Sequence, residues 1–442
     1  MVCEQAIRSR SQSLIQQSLG PGGNRTQVRV RRTDSLREPG SNLTSMSDAD
    51  LQTIETALDE LLAAHDPNTE SYHEFRGHQY DAGLAWVHFA KGDGGLGMAP
   101  RLQKVVNKRL HQAGAAPTDP SQFFMYLAGP TISTHADDSV KERFLRPMFT
   151  GEERWCQLFS EPGAGSDFAG LGTKAVRDGD EWIINGQKVW NTLAHIADYG
   201  MLVTRTDPNV PKHRGMTYFA LDMKAEGVDV RPLRQITGEA EFNEVYMTDA
   251  RVPDAHRIGA EGEGWRAALT TLMNERTAIG GSGGGGGPAI GGGAIGHLVD
   301  IYKKTGTTSA VERDEVTQLW IRAEVLRMTN MRAAQMARSG NPGPEGSVGK
   351  AMMAFINQDI WEKAVDLQGM AGQLDYDYTF RRPESTDMTG AGPGYAFLRA
   401  RANTIEGGTS EIMKNILGEQ VLGLPGEPRV DKTVPWIEVP RG

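Results

Sequence analysis

The sequence predicts a multidomain α+β protein: a helical region, then a β region, then a second helical region. Three observations carry this. The chain has 442 residues, more than one ordinary core accommodates, so roughly two to four domains are expected. Apolar residues recur at the helical period early in the chain and again after Gly264. Between these stretches the pattern shortens into runs rich in Val, Tyr, Phe and Thr, separated by turn residues.

Residues 48–65, DADLQTIETALDELLAAH, predict a helix. Leu51, Ile54, Leu58, Leu61 and Leu62 share one face, and Ser47 or Asp48 can cap its start. RLQKVVNKRLHQAG and SVKERFLRPMFTG continue the pattern, which gives a helical domain over 46–155. The period changes near Cys156. TKAVRDGDEWIINGQKVW holds two strand-like segments around Arg-Asp-Gly-Asp, a hairpin signal. YGMLVTRT, MTYFALDM and GVDVRPL add strands, so 156–264 is a β domain ending near RVPDAHRIG. In 265–425, Val316, Leu319, Trp320, Ala323 and Leu326 form one apolar stripe. Met353, Ile356, Ile360, Ala364 and Leu367 form another, as in bundle helices. GGSGGGGGPAIGGGAIG, residues 280–296, holds too much glycine for a long helix and predicts a flexible loop. Residues 426–442 are expected to be a tail.

Bulk properties exclude several classes. A net charge of −9 argues against general nucleic-acid binding. No apolar run approaches the ~18 residues of a membrane span. Cys3 and Cys156 are too few for a disulfide framework and point to a reducing compartment, the cytoplasm. The first 45 residues hold seven Arg and no Lys, against Glu4, Asp34 and Glu38. This Arg- and Ser-rich composition fits a transit peptide to the mitochondrial matrix. It also fits a disordered tail ahead of a true start at Met46, which the lack of a clear amphipathic period favours.

Three motifs mislead. GDGGLG, Gly92–Gly97, has dinucleotide-loop spacing, but Pro100 follows closely and no βαβ unit is present. A turn before a helix is expected instead. GEGWRA starts a helix without a parallel strand before it. HEFRGH sets His73 and His78 five residues apart, so on a helix they point about 140° apart, unlike a zinc protease pair. Ten scattered His and two distant Cys predict no metal site.

CQLFSEPGAGSDFAGLGTKA, residues 156–175, carries the most functional content. Pro162, Gly163 and Gly165 force a tight loop after a strand-like run. Ser160 and Ser166 bring hydroxyls and N–H groups that suit a polar ring edge or phosphates, although an ordinary turn explains the same residues. Taken in order, SEPGAGSD, INGQKVWNT, EGWRAAL and GGTSEI resemble the acyl-CoA dehydrogenase family across about residues 85–422. KGDGGLG resembles that family's Gly-rich lead into an early helix. The resemblance implies an N-terminal α-helical domain, a central β-barrel and a C-terminal four-helix bundle, in a homotetramer or dimer.

It also implies FAD, with the flavin ring between the β domain and the bundle. By position, Gln157, Phe159 and Ser160 would line the isoalloxazine. Ser166 would reach the nucleotide part or the acyl-CoA. Trp190 and Thr192 match the family's Trp-x-Thr, which backs and hydrogen-bonds the ring; a core aromatic is the plainer reading of Trp190. Gln368 and Gly372 match a segment that meets FAD from a neighbouring subunit. Thr409 and Glu411 match residues near the pyrophosphate and adenosine. The chain departs from the family where YKKTGTTSAVERDEV replaces an Arg-x-x-Phe-Gly segment whose Arg contacts FAD across subunits.

The implied reaction is α,β-desaturation of an acyl-CoA thioester, with electrons leaving to an electron-transfer flavoprotein. The weakly acidic α-proton needs a carboxylate base in a dry pocket. Many family members carry that base in Tyr-Glu-Gly-Thr-Ser near the C-terminus. Here NTIEGGTSEIMKN puts Gly407 at that position and Glu406 one residue early. Isovaleryl and long-chain types carry it on the first bundle helix, in Glu-Arg. RAALTTLMNERTAIGG supplies Glu275 there, followed by Arg276, assigned to the substrate. Glu275 is the expected base; a charge on a helix surface is the plainer reading. An acyl-CoA oxidase, a flavin monooxygenase of the same fold, and a base-less binding relative stay open.

Overall fold

The computed structural model describes residues 48–282, 289–338, 345–374, 379–385, 392–429 and 431–440, without the side chains of 276–282, 337–338 and 345. The expected tail or transit peptide at 1–45 and the centre of the Gly-rich run, 283–288, lie outside the described residues.

Helix α1 (Asp48–Ala64) buries Ile54, Leu58 and Leu61, the face its period predicts. It shares a small core with α2 (Tyr72–Asp81) and α3 (Gln103–Gln112). A capping box starts α2: Ser71 accepts from the Glu74 N–H, and the Glu74 carboxylate accepts from the Ser71 N–H. The glycines of GDGGLG serve a tight chain crossing. A Cβ on Gly95 would lie 2.2 Å from the Phe89 carbonyl oxygen. Helices α4 (Met125–His135) and α5 (Asp138–Thr150) then lead to the sheet.

The strands are β1 (Trp155–Leu158), β2 (Lys174–Asp178), β3 (Glu181–Lys188), β4 (Tyr199–Arg205), β5 (Met216–Asp222), β6 (Val228–Pro232) and β7 (Asn243–Pro253). β2 and β3 form the expected hairpin, with Asp178 opposite Glu181. β4 pairs parallel with β1 and antiparallel with β5, and β3, β7 and β6 continue the sheet away from it. Alternation sends Trp155, Met201, Val203 and Tyr218 into a core shared with α4 and α5. It sends Cys156, Leu158, Leu202, Phe219 and Val245 into a second core on the other face. Burial on both faces is why these strands carry near-continuous apolar runs.

The expected barrel is corrected to an open, curled sheet. Among the described residues β5 and β6 do not pair. The outer edge of β5 instead takes the segment after β7: Ile258 N–H donates to the Tyr218 carbonyl at 2.8 Å, and Phe219–Arg257 and Met216–Glu263 form bridges. An edge covered by its own connection has no groups left to close a barrel.

The C-terminal helices are α6 (Gly264–Ser282), α7 (Ala294–Thr305), α8 (Ala310–Arg338), α9 (Glu345–Asp366), α10 (Pro393–Ala400) and α11 (Ser410–Ile416). Most of the predicted stripe residues of α8 and α9 are buried against each other, with Ile295 and Leu298 of α7, while Trp320 and Leu367 are partly buried at the margin. Among the described side chains of α6, Ala267 and Ala268 pack with α4 and the sheet. α6 also contacts α9, so it bridges the sheet and the C-terminal helices. α6 reaches Ser282 and α7 starts at Ala294, so both ends of the Gly-rich run are helical rather than loop. A few glycines at about 1 kcal/mol each do not stop an established helix. The last segment, expected as a tail, docks on the loop between β4 and β5 through a turn at Trp436–Glu438. No helix among the described residues is long and apolar enough to cross a membrane.

Candidate active site

The site starts at β1. Cys156 and Leu158 point into one core, so alternation turns Gln157 to the other face, where α6 lies. Its Nε2 donates to Glu275 Oε2 at 3.3 Å. Glu275 follows Thr271 by one helical turn and shares its face. Thr271 is fully buried, bonded to Thr131 at 2.8 Å and to the Tyr218 hydroxyl at 3.1 Å. Those two bonds fix the rotation of α6 and thereby the direction of Glu275. Arg276, expected at the substrate, has a side chain outside the described residues.

Asn191 ties this pair to the next element. Its amide donates to the Gln157 carbonyl at 2.8 Å. Flanking it, Trp190 and Leu193 have φ of 64° and 57°, in the left-handed region. Such backbones cost about 1–3 kcal/mol and persist when their surroundings over-determine them. Here Asn191 and Asn243 exchange backbone bonds of 3.0 and 3.1 Å, and Leu193 N–H donates to Glu241 at 2.8 Å. Trp190 is 58% exposed and meets Phe242 edge-on, so it is not a core residue.

A cavity of about 1450 Å³ opens beside this turn, with Thr192, Phe242, Lys350, Gln368 and Arg399 on its walls. It exceeds the ~300–1,000 Å³ of ordinary ligand pockets. A wide cavity with Thr192, Lys350 and Gln368 on its walls, beside an exposed indole, fits a large, flat ligand with polar edges, as FAD is.

The other glutamate is held differently. The Arg399 guanidinium donates to both oxygens of Glu406, at 3.0 and 2.9 Å, and Asn403 adds a bond of 2.7 Å. Arg399 also lies 3.4 Å from buried Glu241. The following Gly407 and Gly408 have φ of 61° and 93°, which explains the pair of glycines. Lys350 Nζ donates to the Asn403 and Gly408 carbonyls, each at 2.7 Å. Burial pushes its pKa down, while Glu406, Glu275 and Glu411 pull the other way.

The remaining expected residues scatter around this frame. The Phe159 ring is buried and stacks on Phe168 at 4.8 Å. Ser160 is half-buried beside it, and Ser166 is exposed at the loop tip. The Gln368 side chain donates to Ala364 O at 2.9 Å. Gly372 packs so that a Cβ would lie 2.3 Å from the Val365 carbonyl. Thr409 caps α11, accepting from the Ile412 N–H, and Glu411 is exposed in its first turn.

Sequence reasoning missed Asn191, Lys350, Arg399 and the Glu161–Lys188 pair. Glu161 accepts from the Gly172 N–H at 2.7 Å, the Thr173 N–H at 2.9 Å and Lys188 at 2.8 Å. Burial opposes its ionisation, yet Lys188 and these donors hold its carboxyl below its usual value. A signal existed: Lys188 falls in step with buried Trp182 and Ile184 on β3. The reading of scattered histidines also overlooked that His65, Glu70 and His78 come together. The two imidazoles stack at 3.5 Å with their planes 15° apart. His65 Nδ1 and Glu70 share a hydrogen bond of 2.9 Å.

Comparison with known proteins follows this geometry. The family model for the acyl-CoA dehydrogenase middle domain matches residues 156–250, and the model for the C-terminal domain matches 262–422. Acyl-CoA dehydrogenase FadE34 of Mycobacterium tuberculosis is 37% identical over 349 residues, 78% of this chain and 45% of that protein. The chain thus spans less than half the length of that relative. Acyl-CoA dehydrogenase IpdE1 of Mycobacterium tuberculosis is 34% identical over 349 residues, 79% of this chain and 86% of that protein. A chain of the solved ChsE4-ChsE5 complex from Mycobacterium tuberculosis is 26% identical with a TM-score of 0.62, covering 87% of this chain and 99% of that one.

Proposed function

The chain belongs to the acyl-CoA dehydrogenase family of oxidoreductases, and on that premise we propose that it desaturates an acyl-CoA thioester between its α and β carbons, using FAD and passing electrons to an electron-transfer flavoprotein. The observation that carries this reading is the 3.3 Å contact between Gln157 and Glu275. It sets a carboxylate on α6 against the strand that leads into the SEPGAGSD loop. FAD, when bound, would supply the hydride-accepting chemistry. The chain's own residues do the rest. Glu275 takes the α-proton. Gln157 orients the Glu275 carboxylate. Trp190 and Thr192 would back the flavin ring, and Gln368 would meet the FAD of a neighbouring subunit.

Glu406 is not given the base role, because both its oxygens are engaged by Arg399. A base-less binding relative is disfavoured by the placement of Glu275. The apolar stripe Ile321, Val325 and Met328 on α8 is 45%, 42% and 54% exposed at helical spacing, which supports a covered face in a homo-oligomer. The ChsE4-ChsE5 relative is a complex of two named proteins, so a mixed oligomer is the other arrangement; native mass spectrometry separates them.

The test is anaerobic mixing of FAD-loaded protein with a panel of acyl-CoA thioesters. Flavin bleaching with stoichiometric enoyl-CoA supports the reading. Tight thioester binding without bleaching across the panel would replace the enzyme with a binding protein. Rapid reoxidation of the bleached protein by oxygen would make it an oxidase.

A further inference from the structure

We propose that residues 431–438 position the loop Glu161–Gly172, that Trp436 is their anchor, and that they set how tightly the ligand of this loop is held. The proposal rests on the reading above that this loop faces FAD or the acyl-CoA. The segment lies beyond the matched C-terminal domain, which ends at residue 422.

The loop needs outside support. Pro162, Gly163, Gly165, Ser166 and Asp167 are all exposed, and a Cβ on Gly163 or Gly165 would meet nothing within 4 Å. Glu161 secures its two ends through Lys188, Gly172 and Thr173. The stretch between is anchored in the core by Phe168, Ala169 and Leu171, and its carbonyls are held by Arg205 of β4 together with the C-terminal segment. Arg205, 2% exposed, donates to the carbonyls of Ala169 at 2.6 Å and Leu171 at 3.4 Å. The Trp436 ring covers that guanidinium at 4.9 Å, and its Nε1–H donates to the carbonyl between them, Gly170, at 3.2 Å. Three consecutive loop carbonyls therefore take donors from one Arg–Trp stack. The stack is fastened by main-chain bonds, from Trp436 N–H to Val210 O at 2.9 Å and from Ile437 N–H to Pro208 O at 3.0 Å. On the exposed side, Lys212 Nζ, 8% exposed, pairs with loop Asp167 at 2.7 Å and with Asp431.

A loop fixed before binding loses less freedom on binding, so its effect falls on affinity rather than on the rate of the bound complex. Trp436 touches no reacting atom in this account and is a positioning residue.

The experiment compares full-length FAD-loaded protein with W436A, W436F, D431N and a chain ending at Gly426. Three quantities are read: hydrogen exchange of amides 161–173, FAD release on dilution, and the affinity for free coenzyme A. W436A and the shortened chain should raise exchange in that segment about tenfold or more. They should speed FAD release or weaken coenzyme A binding about tenfold, with flavin reduction at saturating thioester unchanged. W436F keeps the ring over Arg205 and loses one hydrogen bond, so it should fall between. D431N should have the smallest effect. If W436A unfolds, W436F and D431N carry the test with the same ranking. Exchange and both affinities within about twofold of wild type in every variant that folds would overturn the proposal. The exchange readout needs no ligand. A wild-type chain that binds neither FAD nor coenzyme A therefore defeats the functional reading without deciding the positioning claim.

Discussion

Glu275 and Glu406 both lie within electrostatic reach of Lys350, yet they are built in different ways. Glu406 sits in a turn and meets a guanidinium fork, at 3.0 and 2.9 Å. Glu275 rides on a helix of 19 residues, and a partner of its carboxylate is the neutral amide of Gln157 at 3.3 Å. A charge-assisted fork is strong and fixed in direction. A neutral amide contact at 3.3 Å is weaker and less fixed in direction. The first arrangement commits a carboxylate to structure, and the proposed base role of Glu275 rests on the second. Glu161 is the extreme of the first kind, with donors from fully buried Lys188, Gly172 and Thr173.

The contrast predicts that these carboxylates fail in different assays. Glu161→Ala should cost about 3–5 kcal/mol of stability, because it strands a buried ammonium. Denaturant unfolding measures this, and a loss under about 1 kcal/mol would refute the structural role. The folded carboxyl of Glu161 titrates below its usual value. Its contribution is therefore complete above about pH 4.3 and disappears as pH falls through the lower folded value. Wild type and Glu161→Ala should converge in acid.

Glu275→Gln should slow flavin reduction at least ~100-fold, the low end for losing acid–base catalysis, while its melting temperature stays near wild type. Stopped-flow absorbance under nitrogen reads the rate. Glu406→Gln should do the reverse: about 1–2 kcal/mol of stability lost, since the Arg399 pair is partly exposed, and a rate within about tenfold of wild type. Matching rate losses in the two variants would erase the distinction.

Smaller effects bound the account. Trp190→Ala should weaken FAD retention by the ~0.5–1.5 kcal/mol of an aromatic contact, more than a typical surface change. Unchanged retention with an unaltered flavin spectrum would move the flavin elsewhere. Deleting residues 1–45 should leave flavin content and melting temperature as they are, and a marked loss of bound flavin would make that segment part of the site.

The sequence showed what periodicity encodes. The stripes on α8 and α9 and the β2–β3 hairpin arise from side chains facing one neighbour at a regular interval, so short windows suffice. Glu275 was singled out because its position follows from a motif a few residues away, and it lies against Gln157. What stayed hidden depends on distant partners. The covering of the outer edge of β5 depends on a segment some 40 residues later along the chain, at Arg257–Glu263. Phe159 carries a ligand-loop motif in sequence but lands in the core, because strand alternation ends as the chain turns. The Arg399–Glu406 fork spans two turns with no periodic signature. The Trp436–Gly170 bond joins residues 266 positions apart, which no local pattern announces.

The most direct measurement of the central claim isolates proton removal from hydride loss. An acyl-CoA whose β carbon is replaced by sulfur has no β-hydride to give, so exchange of its α-protons with deuterated water reports on the base alone. FAD-loaded wild type and Glu406→Gln should both exchange these protons, and Glu275→Gln should be slower by at least ~100-fold. Exchange that survives in Glu275→Gln and vanishes in Glu406→Gln would contradict the account and make the C-terminal glutamate the base.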